Sequence, residues 1–561
     1  MYVARFLANE GAGCYNCGMK IEKGQTVKVK INDISDQGQG IGHADGFTVF
    51  VNGAMPGDYV EAELTNVKKR YGFARIKNML ELSCDRRESP CPYSEECGGC
   101  VFMGYDYDAE LRIKAAQVAD KLKRLGGIDD PVINDIVGMG DPFRYRNKAV
   151  FQVGLSDDGC VSVGFNRQRT HDVIDCSDCI IQSPAAKAAA DALREYLRNN
   201  NYGKPVRNMT VKTAFGTGEV MVVIGTDGGE LQDIEYLVEL MDEAVYETGY
   251  SLESLYVDDG YGAGKNKKSG KGGKNSKKLP EPQLIAGNRV INEQAGDLKF
   301  EISPRSFYQV NPVMMEALYD IVRGYVTGRF GVRTGTESGT ADEDILDFCV
   351  KEEGQDKKGG TILDLYCGAG TIGLWCLERD AHLDERSDYF VLGIETEKQA
   401  VLDANRNAVI NGVVNARYIC DKAETALPEL VLSSSDDQSR VDADGSSDNS
   451  GPRKLLYDEE LYQAAKDAKV AIVDPPRSGC HRDLLDSLIR TAPEKIVYVS
   501  CDPATLARDI KILCGQGYRF EEATPVDMFP HTGHVETVVL LSHQKSTEYI
   551  NEQHPEKNDH T

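Results

Sequence analysis

The sequence predicts a multidomain α/β protein in which a small N-terminal β-barrel and a central α+β domain precede a Rossmann-like C-terminal domain. Three observations support this fold class. Short alternating runs fill residues 24–82, a cysteine-rich segment and further alternating runs extend to about residue 300, and strands then alternate with helices. A chain of 561 residues is long enough for several such domains.

The N-terminal alternating runs predict a barrel of the oligonucleotide-binding type. Turns that contain Gly, Asn or Pro separate the runs, as in a small closed sheet. Lys68–Arg75, "KKRYGFAR", interleaves basic and aromatic side chains, which suits contact with an RNA backbone together with base stacking. A solvated hairpin would explain the same residues without RNA.

The central region predicts an antiparallel sheet with one amphipathic helix near residues 183–200. An earlier helix stops at Gly126 and Gly127. The low-complexity segment 264–278 is lysine-rich and predicts a flexible loop that touches RNA phosphates at most unspecifically. Composition therefore divides the chain into a leader at 1–22, a barrel at 23–82, a central domain at 83–300, a C-terminal domain at 301–545 and a polar tail at 546–561.

Composition and charge limit the functional classes. No apolar run reaches the roughly 18 residues that a membrane span needs, and the N-terminus lacks the pattern of a secretory signal, so we expect a cytoplasmic protein. The sixteen cysteines then indicate metal ligation, catalysis or burial instead of a disulfide framework. The net charge of −25 disfavours nucleic-acid binding only weakly, because a local basic face can coexist with an acidic remainder.

The C-terminal domain begins with a glycine-rich turn between a strand and a helix, Ile362–Leu374, "ILDLYCGAGTIGL". Its glycines allow a tight turn and close approach of a ligand, and Glu395 at the end of the next strand is placed to bind ribose hydroxyls. The glycines alone do not separate NAD from a smaller nucleoside. S-adenosylmethionine fits once the other motifs are counted.

Two further strand ends carry polar residues. "VAIVDPPRSG" ends in Asp474, which the two prolines hold at the mouth of the predicted pocket. The residue after these prolines is Arg477, where methyltransferases that act on amines carry an aromatic and those that act on cytosine C5 carry a cysteine. Both of those classes are therefore disfavoured.

Cys501 in "YVSCDPATLARD" has two interpretations. A thiol at a strand end is most often core packing. Ligands, however, bind at the carboxyl ends of the strands in a doubly wound sheet. Amides at the start of the following helix would stabilise a thiolate. His531, His534 and Glu536 in "DMFPHTGHVE" supply titratable partners for such a nucleophile.

Together "SPRSFYQVN", "DLYCGAGTIGL", "IVDPPRSG", "YVSCDPATLARD" and "DMFPHTGHVE" resemble the RNA uracil-5-methyltransferase family over residues 24–543. The resemblance implies that Cys501 attacks uracil C6 and that Glu536 removes the C5 proton, while the histidines organise the loop or bind the uracil. It also implies contacts to S-adenosyl-L-methionine; the residues concerned are Gln309, Tyr366, Glu395 and Asp474. One departure is Asp502, where the family usually has Asn.

The cysteines of the central region predict a metal site made of thiolates. Cys91, Cys97 and Cys100 supply three ligands, and spacing alone leaves a zinc site and a [4Fe–4S] cluster open. The resemblance favours the iron–sulfur cluster, with Cys179 as the fourth ligand. Cys84, Cys176, Cys14 and Cys17 fall outside this pattern.

The resemblance implies an RNA partner, and neither DNA nor a membrane. The barrel resembles the RNA-binding TRAM module, and the target base is expected to flip into the pocket. We expect methylation of uridine C5 in 23S rRNA. The alternatives are a tRNA enzyme that acts on the T-loop and, from another class, a non-catalytic RNA-binding or assembly factor.

Overall fold

A computed structural model describes the chain in nine stretches, which are residues 21–35, 37–155, 160–199, 206–228, 230–260, 280–328, 359–377, 389–432 and 457–544. The predictions for Cys14, Cys17, the lysine-rich loop and the polar tail lie outside these residues, as does nearly all of the leader and of two acidic stretches near 333–359 and 431–456. Within the described stretches, no helix has the length and apolar character that crossing a membrane requires.

The chain forms two compact units. Of the residues that the structure describes, unit 1 contains those up to Lys114 together with Arg167–Thr170 and Phe529–His534, and unit 2 contains the others. The predicted central and C-terminal domains therefore both contribute mainly to unit 2. The boundaries between the predicted domains stay a prediction.

Unit 1 contains a closed five-stranded barrel with the strand order β1-β2-β3-β5-β4. Its strands are β1 (Thr26–Ile34), β2 (Gln39–Ala44), β3 (Phe47–Asn52), β4 (Tyr59–Val67) and β5 (Tyr71–Glu81). In β4, buried and partly exposed residues alternate, so that Val60, Ala62 and Leu64 point into the barrel core. Only β3 and β5 pair in parallel among these strands. The predicted barrel is confirmed.

Helix α1 (Tyr107–Lys121) contains the first boundary between the two units along the chain, after Lys114, and continues into a π-helical turn at Leu122–Gly126. The turn ends at Gly127, which adopts a left-handed φ of 74° that a glycine tolerates. The stop predicted at this Gly-Gly pair is therefore found.

The first sheet of unit 2 has seven strands in the order β12-β11-β10-β9-β6-β7-β8. The strands are β6 (Lys148–Leu155), β7 (Val161–Asn166), β8 (Val173–Asp175), β9 (Val206–Thr213), β10 (Glu219–Thr226), β11 (Ser251–Asp258) and β12 (Gln283–Gly287). The sheet is antiparallel as predicted except for the parallel pair β10 and β11. Helices α2 (Pro184–Asn199) and α3 (Ile234–Tyr246) share its apolar core, whereas the sequence predicted one helix.

The second sheet of unit 2 also has seven strands, in the order β17-β16-β15-β18-β19-β21-β20. It follows a short hairpin of β13 (Ile291–Ala295) and β14 (Leu298–Ile302). The strands of the sheet are β15 (Thr361–Leu365), β16 (Phe390–Glu395), β17 (Ala416–Cys420), β18 (Ala468–Val473), β19 (Lys495–Ser500), β20 (Tyr518–Val526) and β21 (Glu536–His543). Strands β15 to β19 pair in parallel and β21 runs antiparallel to both of its neighbours. The predicted Rossmann-like arrangement is confirmed.

In the described part of this region, seven helices accompany the second sheet. They are α4 (Pro312–Thr327), α5 (Thr371–Leu377), α6 (Lys398–Ile410), α7 (Ala423–Leu432), α8 (Glu459–Lys466), α9 (Arg482–Thr491) and α10 (Pro503–Cys514). Residues of the parallel strands and of α7 to α10 form one large apolar cluster, as expected for strands that are buried on both faces. The carboxyl ends of β15, β16, β18 and β19 consequently meet at one edge of the sheet, where the candidate site lies.

Candidate active site

The glycine-rich turn after β15 has the backbone that its sequence requires. Gly368 and Gly370 have φ values of 55° and 74°, which a residue with a Cβ rarely adopts. The amide of Gly373 donates a hydrogen bond of 3.0 Å to Oδ2 of Asp364, and a side chain at position 373 would meet that oxygen at 2.7 Å. A Cβ on Gly368 would meet nothing within 4 Å, so the turn borders open space.

Glu395 ends β16 and binds the same turn. Its Oε2 accepts a hydrogen bond of 3.1 Å from the amide of Gly368, and its Oε1 accepts one of 2.8 Å from the amide of Glu397. Two backbone donors therefore fix the carboxylate beside the open space. Oγ1 of Thr396 donates a third hydrogen bond, of 3.1 Å, to Oε1; because an ionised carboxylate accepts about four, capacity remains for a ligand hydroxyl.

Asp364 is buried in the turn, and its Oδ1 has no hydrogen-bond partner among the described residues. Burial raises its pKa to about 7; the amide of Gly373 opposes this shift, while the charges of Asp474 and Glu395 add to it. The three carboxyl groups therefore lie within electrostatic reach of one another. Buried acids that lack donors form a site that a cationic ligand would stabilise.

Gln309 lies buried on the segment between β14 and α4. Its carbonyl accepts a hydrogen bond of 2.8 Å from Nδ2 of Asn147, and its side chain lies near enough to the hydroxyl of Tyr319 to lower the pKa of that group slightly against the effect of burial. That hydroxyl is buried and responds to the charges of Asp474 and Asp364. Gln309 therefore belongs to the same neighbourhood as the carboxyl groups.

Tyr366 occupies the turn with a left-handed φ of 64°, and its amide donates to the carbonyl of Ile394. Burial raises the pKa of its hydroxyl, and the charges of Cys480 and Glu424 raise that pKa further. The side chain therefore faces Cys480, and the backbone of Tyr366 shapes the glycine-rich turn.

The segment after β18 brings Asp474 and Arg477 to the same edge. The amide of Asp474 donates to the carbonyl of Leu365 at 3.3 Å, and burial raises the pKa of its carboxyl to about 7. The carbonyl of Arg477 accepts a hydrogen bond of 3.3 Å from Oγ1 of Thr505 on α10. This segment, residues 474–480, is thus held to the helix that follows Cys501.

Asp509 on α10 also holds the segment 474–480 to this helix. Its Oδ2 accepts hydrogen bonds from the amide of Cys480 at 2.8 Å and from the hydroxyl of Tyr498 at 2.7 Å. Its Oδ1 pairs with Arg508 at 2.7 Å. Because a Cβ on Gly479 would meet Oδ2 of Asp509 at 2.6 Å, this close approach requires glycine.

Cys501 directly follows β19, as predicted, and is partly buried. Burial raises the pKa of its thiol to about 12; the charges of Glu536, Asp474 and Asp502 add to this shift, and Arg477 opposes it. The thiol therefore shares one electrostatic environment with these residues. In the absence of a substrate it is neutral at physiological pH.

The prediction that helix amides stabilise a thiolate is wrong for this structure. Asp502 caps α10, and its Oδ1 accepts hydrogen bonds from the amides of Ala504 and Thr505 at 2.9 and 3.1 Å. The first amides of the helix are thus occupied by the capping carboxylate. Of the causes that shift the pKa of Cys501, the charge of Asp502 contributes least.

Glu536 begins β21 and is buried. Burial raises its pKa to about 8; Asp474 adds to the shift and Arg477 opposes it. In the antiparallel ladder of β19 and β21, Ser500 pairs with Thr537. In this register the next residues along the two strands are Cys501 and Glu536. The structure therefore brings the two predicted catalytic side chains together.

The two histidines lie in unit 1. The amide of His531 donates a hydrogen bond of 2.8 Å to Oε1 of Glu110, and its carbonyl accepts from the amides of Val101 and Phe102 at 2.7 and 2.9 Å. The amide of His534 donates to Oγ1 of Thr532. These contacts favour the interpretation in which His531 organises its loop.

The predicted metal ligands do not form a recognisable centre. Among the described residues, no group of three or more His, Cys, Asp or Glu side chains is arranged to hold a metal ion. Cys91, Cys97 and Cys100 belong to unit 1 and Cys179 to unit 2. Four thiolates are chemically suited to iron or zinc, and the cluster stays a prediction.

Sequence reasoning missed two residues of this neighbourhood. Tyr319 escaped because no motif links α4 to the glycine-rich turn, about 50 residues later in the chain. Arg477 was used only to exclude other methyltransferase classes. Arg477 follows the prolines after β18, and Cys501 follows the neighbouring strand β19. This position was the signal for a cation beside Cys501, because the carboxyl ends of neighbouring parallel strands lie at the same edge of a sheet.

Two known domain families match the chain. Residues 20–77 match the TRAM domain, and residues 456–544 match the family described as tRNA (Uracil-5-)-methyltransferase. The first match covers nearly all of the five-stranded barrel. The second contains the ends of β18 and β19 and the start of β21.

Curated relatives match almost the whole chain. An "Uncharacterized RNA methyltransferase" of Halalkalibacterium halodurans is 33% identical over 534 residues, which cover 93% of this chain and 98% of the relative. A protein of the same description from Clostridium tetani is 32% identical over 537 residues, with coverage of 93% and 97%.

A solved structure has a similar fold. The Pyrococcus abyssi tRNA (uracil-54, C5)-methyltransferase, in complex with S-adenosyl-L-homocysteine, is 24% identical with a TM-score of 0.61. The match covers 92% of this chain and 99% of that protein. A fold similar to that of this chain therefore occurs in a solved structure.

Proposed function

Because this chain belongs to the RNA uracil-5-methyltransferase family, we propose that it methylates C5 of a specific uridine in 23S rRNA through a covalent adduct between Cys501 and C6. S-adenosyl-L-methionine is the proposed methyl donor. The observation that carries the proposal is the adjacency of Cys501 and Glu536 at the edge that also holds Asp474 and Arg477.

The donor site is proposed at the glycine-rich turn. When bound, S-adenosyl-L-methionine supplies an electrophilic methyl group on a positively charged sulfur. The partnerless Oδ1 of Asp364 and the raised pKa values of Asp364 and Asp474 suit a cationic ligand. Glu395 is the proposed acceptor for ribose hydroxyls, and Gln309 and Tyr366 complete the proposed donor-binding residues.

Cys501 is the proposed nucleophile. Its thiol loses a proton to solvent as the sulfur bonds to C6, and the electron pair of the C5–C6 bond becomes an enolate that makes C5 nucleophilic. Arg477, which lowers the pKa of Cys501, favours the thiolate. A flipped uridine is required because C6 is not accessible inside a helix.

Glu536 is the proposed base for the second half of the reaction. After C5 has gained the methyl group, the carboxylate removes the remaining C5 proton. The electron pair then restores the C5–C6 double bond and expels Cys501 as a thiolate. A pKa of about 8 is close to the working pH, which suits a group that must accept and release a proton.

The proposal is tested by methyl transfer from S-adenosyl-L-methionine to uridine-containing rRNA. Cys501→Ala is expected to abolish 5-methyluridine formation while donor binding persists. Cys514→Ala is the matched control, since Cys514 is a second partly buried cysteine at the far end of α10. Full activity of Cys501→Ala would reject the mechanism. RNA binding without methylation by the unaltered protein would favour a non-catalytic assembly factor.

A uridine of the tRNA T-loop is the second candidate substrate. The name of the similar solved structure, a tRNA (uracil-54, C5)-methyltransferase, favours it. The barrel together with the cysteine pattern supports 23S rRNA. Mapping 5-methyluridine in both RNAs from a strain that lacks the gene decides between them: loss from 23S rRNA is expected, and loss confined to tRNA would reject the rRNA substrate.

A [4Fe–4S] cluster bound by Cys91, Cys97, Cys100 and Cys179 is proposed from the family resemblance alone. None of the steps above depends on it. Protein purified without oxygen is expected to contain iron and acid-labile sulfide, with broad absorbance near ~400 nm typical of iron–sulfur centres. Zinc without iron in such a preparation would reject the cluster.

A further inference from the structure

Asn407 is a buried residue of α6 that the mechanism above does not use. Its Nδ2 donates a hydrogen bond of 3.1 Å to the carbonyl of Ala369, which lies in the glycine-rich turn between Gly368 and Gly370. Its Oδ1 accepts a hydrogen bond of 2.9 Å from the amide of Glu301 on β14. One side chain therefore joins the proposed donor site to the hairpin of β13 and β14.

The glycines on both sides of Ala369 leave this turn free to adopt many backbone conformations. Gly368 and Gly370 have the left-handed φ values described above, and glycine loses more backbone freedom on ordering than any other residue. The side chain of Asn407 is fully buried. A ligand at the turn would therefore contact the backbone that Asn407 holds and not Asn407 itself.

A second contact of α6 reaches the segment that carries Gln309. Oδ2 of Asp403, one helical turn before Asn407, accepts a hydrogen bond of 3.0 Å from Oγ of Ser303, and Asp403 is also buried. The helix thus has buried polar contacts to the glycine-rich turn and to the segment after β14. Tyr366 and Gln309, two of the proposed donor-binding residues, belong to these two parts of the chain.

We propose that Asn407 is a positioning residue for the methyl-donor site, where its side-chain amide holds the carbonyl of Ala369 and so keeps the glycine-rich turn in the conformation that accepts the donor. This inference rests on the proposed function. Its physical basis is that a turn ordered in advance loses less backbone entropy when S-adenosyl-L-methionine binds, so that more of the interaction appears as affinity.

The structure offers a matched control one turn further along. Asn411 directly follows α6, and its Oδ1 and Nδ2 form hydrogen bonds of 2.9 and 2.8 Å with the amide and the carbonyl of Lys299 on β14. Asn407 and Asn411 thus each accept from an amide of β14 and donate to a backbone carbonyl. They differ in that carbonyl, which belongs to the glycine-rich turn for Asn407 and to β14 for Asn411. Asn411 is also less buried.

The test compares Asn407→Ala with Asn411→Ala in the full-length protein. Both variants should unfold at a lower urea concentration, because each loses hydrogen bonds to the backbone. Calorimetry with S-adenosyl-L-methionine should show affinity weakened about 3- to 10-fold for Asn407→Ala, the range of one net hydrogen bond, and changed less than about twofold for Asn411→Ala. At saturating donor the kcat of Asn407→Ala should stay within about twofold of the unaltered enzyme, so that the loss appears in the KM for the donor.

Hydrogen exchange measures the order of the turn directly. Without donor, the backbone amides of residues 366–373 should exchange about 3- to 10-fold faster in Asn407→Ala than in the unaltered protein, and Asn411→Ala should show no such increase. Addition of S-adenosyl-L-methionine should reduce the difference. Mass spectrometry of the peptide that contains this turn gives the rates, and unchanged exchange in Asn407→Ala would overturn the positioning role.

A second pair, Asn407→Leu and Asn411→Leu, serves if loss of the whole side chain prevents folding. Leucine is close to asparagine in shape, leaves little cavity and forms no hydrogen bond, so the same difference in donor affinity is expected. Equal donor affinities within a pair of folded variants would overturn this inference and leave the proposed function intact. Failure of the unaltered protein to bind the donor would overturn both.

Discussion

Two kinds of buried acid lie at the same edge of the C-terminal sheet. Asp509 is completely buried and is surrounded by donors, namely a backbone amide, a tyrosine hydroxyl and an arginine. Asp364 and Glu536 are buried, Asp474 is partly buried, and the carboxyl groups of all three have few or no hydrogen-bond donors among the described residues; we call them the donor-poor acids. Their pKa values consequently rise to about 7, 7 and 8.

This difference distinguishes an acid that stabilises the fold from acids that are available for the reaction. Asp509 uses its charge to join α10, the strand before Cys501 and segment 474–480, and its hydrogen bonds already compensate its burial. The donor-poor acids instead keep an unfavourable environment that a bound cation or a proton transfer would relieve. Burial alone therefore does not indicate a functional acid; burial without compensation does.

The largest effect is expected for the donor-poor acid Glu536. Glu536→Gln should add Cys501 to the RNA and transfer the methyl group, but release of product should slow by about 100-fold or more, because the base for elimination is missing. Denaturing gels should then show a protein–RNA adduct with ordinary uridine RNA. Rapid turnover by this variant would assign the base to another residue.

A smaller effect of a different kind is expected for Asp509→Asn. The amide replaces one acceptor with a donor against Cys480 and Tyr498, which should lower the free energy of unfolding by about 1–3 kcal/mol. No adduct should accumulate, because Glu536 is intact. Urea unfolding and the same gel assay measure the two results. An accumulating adduct would show that Asp509 takes part in elimination and would break the distinction between the two kinds of acid.

The smallest effect concerns stability and pH. Because the folded-state pKa values of the donor-poor acids exceed those of ordinary carboxyls, the folded protein holds more protons than the unfolded chain between about pH 4 and 8. Their contribution to the free energy of unfolding should therefore fall as pH rises through this window. Asp58, whose pKa is lowered, completes its titration at pH values below this window.

Unfolding of the unaltered protein and of Asp474→Asn at pH 5, 6, 7 and 8 measures this dependence. The free energy of unfolding of Asp474→Asn should fall less between pH 5 and 8 than that of the unaltered protein. An identical pH dependence in both proteins would show that Asp474 is compensated by donors in solution.

The sequence allowed the barrel and the Rossmann-like sheet to be predicted because alternation and strand–helix order are local patterns. Pairing is not local. The parallel contact between β10 and β11 could not be foreseen, since alternation specifies which face of a strand is buried but not its neighbour. Helix α3 was missed for a related reason: it lies between strands of a region that otherwise alternates.

The candidate site could likewise be predicted where a local motif marks it and not where contacts between distant residues form it. Cys501 and Glu536 were located by motif, and the register of β19 and β21 explains their adjacency. The effect of the helix on the thiol was predicted wrongly because the side chain of Asp502 competes for the amides, a contact that depends on side-chain conformation. Tyr319 was missed because its partner Thr371 is remote in sequence.

The central claim, a covalent bond between Cys501 and C6 of uridine, is tested most directly by mass spectrometry of the protein after incubation with S-adenosyl-L-methionine and 5-fluorouridine-containing RNA. Fluorine at C5 leaves no proton for Glu536 to remove, so the adduct should persist. The account predicts that the peptide containing Cys501 carries a methylated 5-fluorouridine. An adduct on any other residue, or none during active methylation of ordinary RNA, would contradict it.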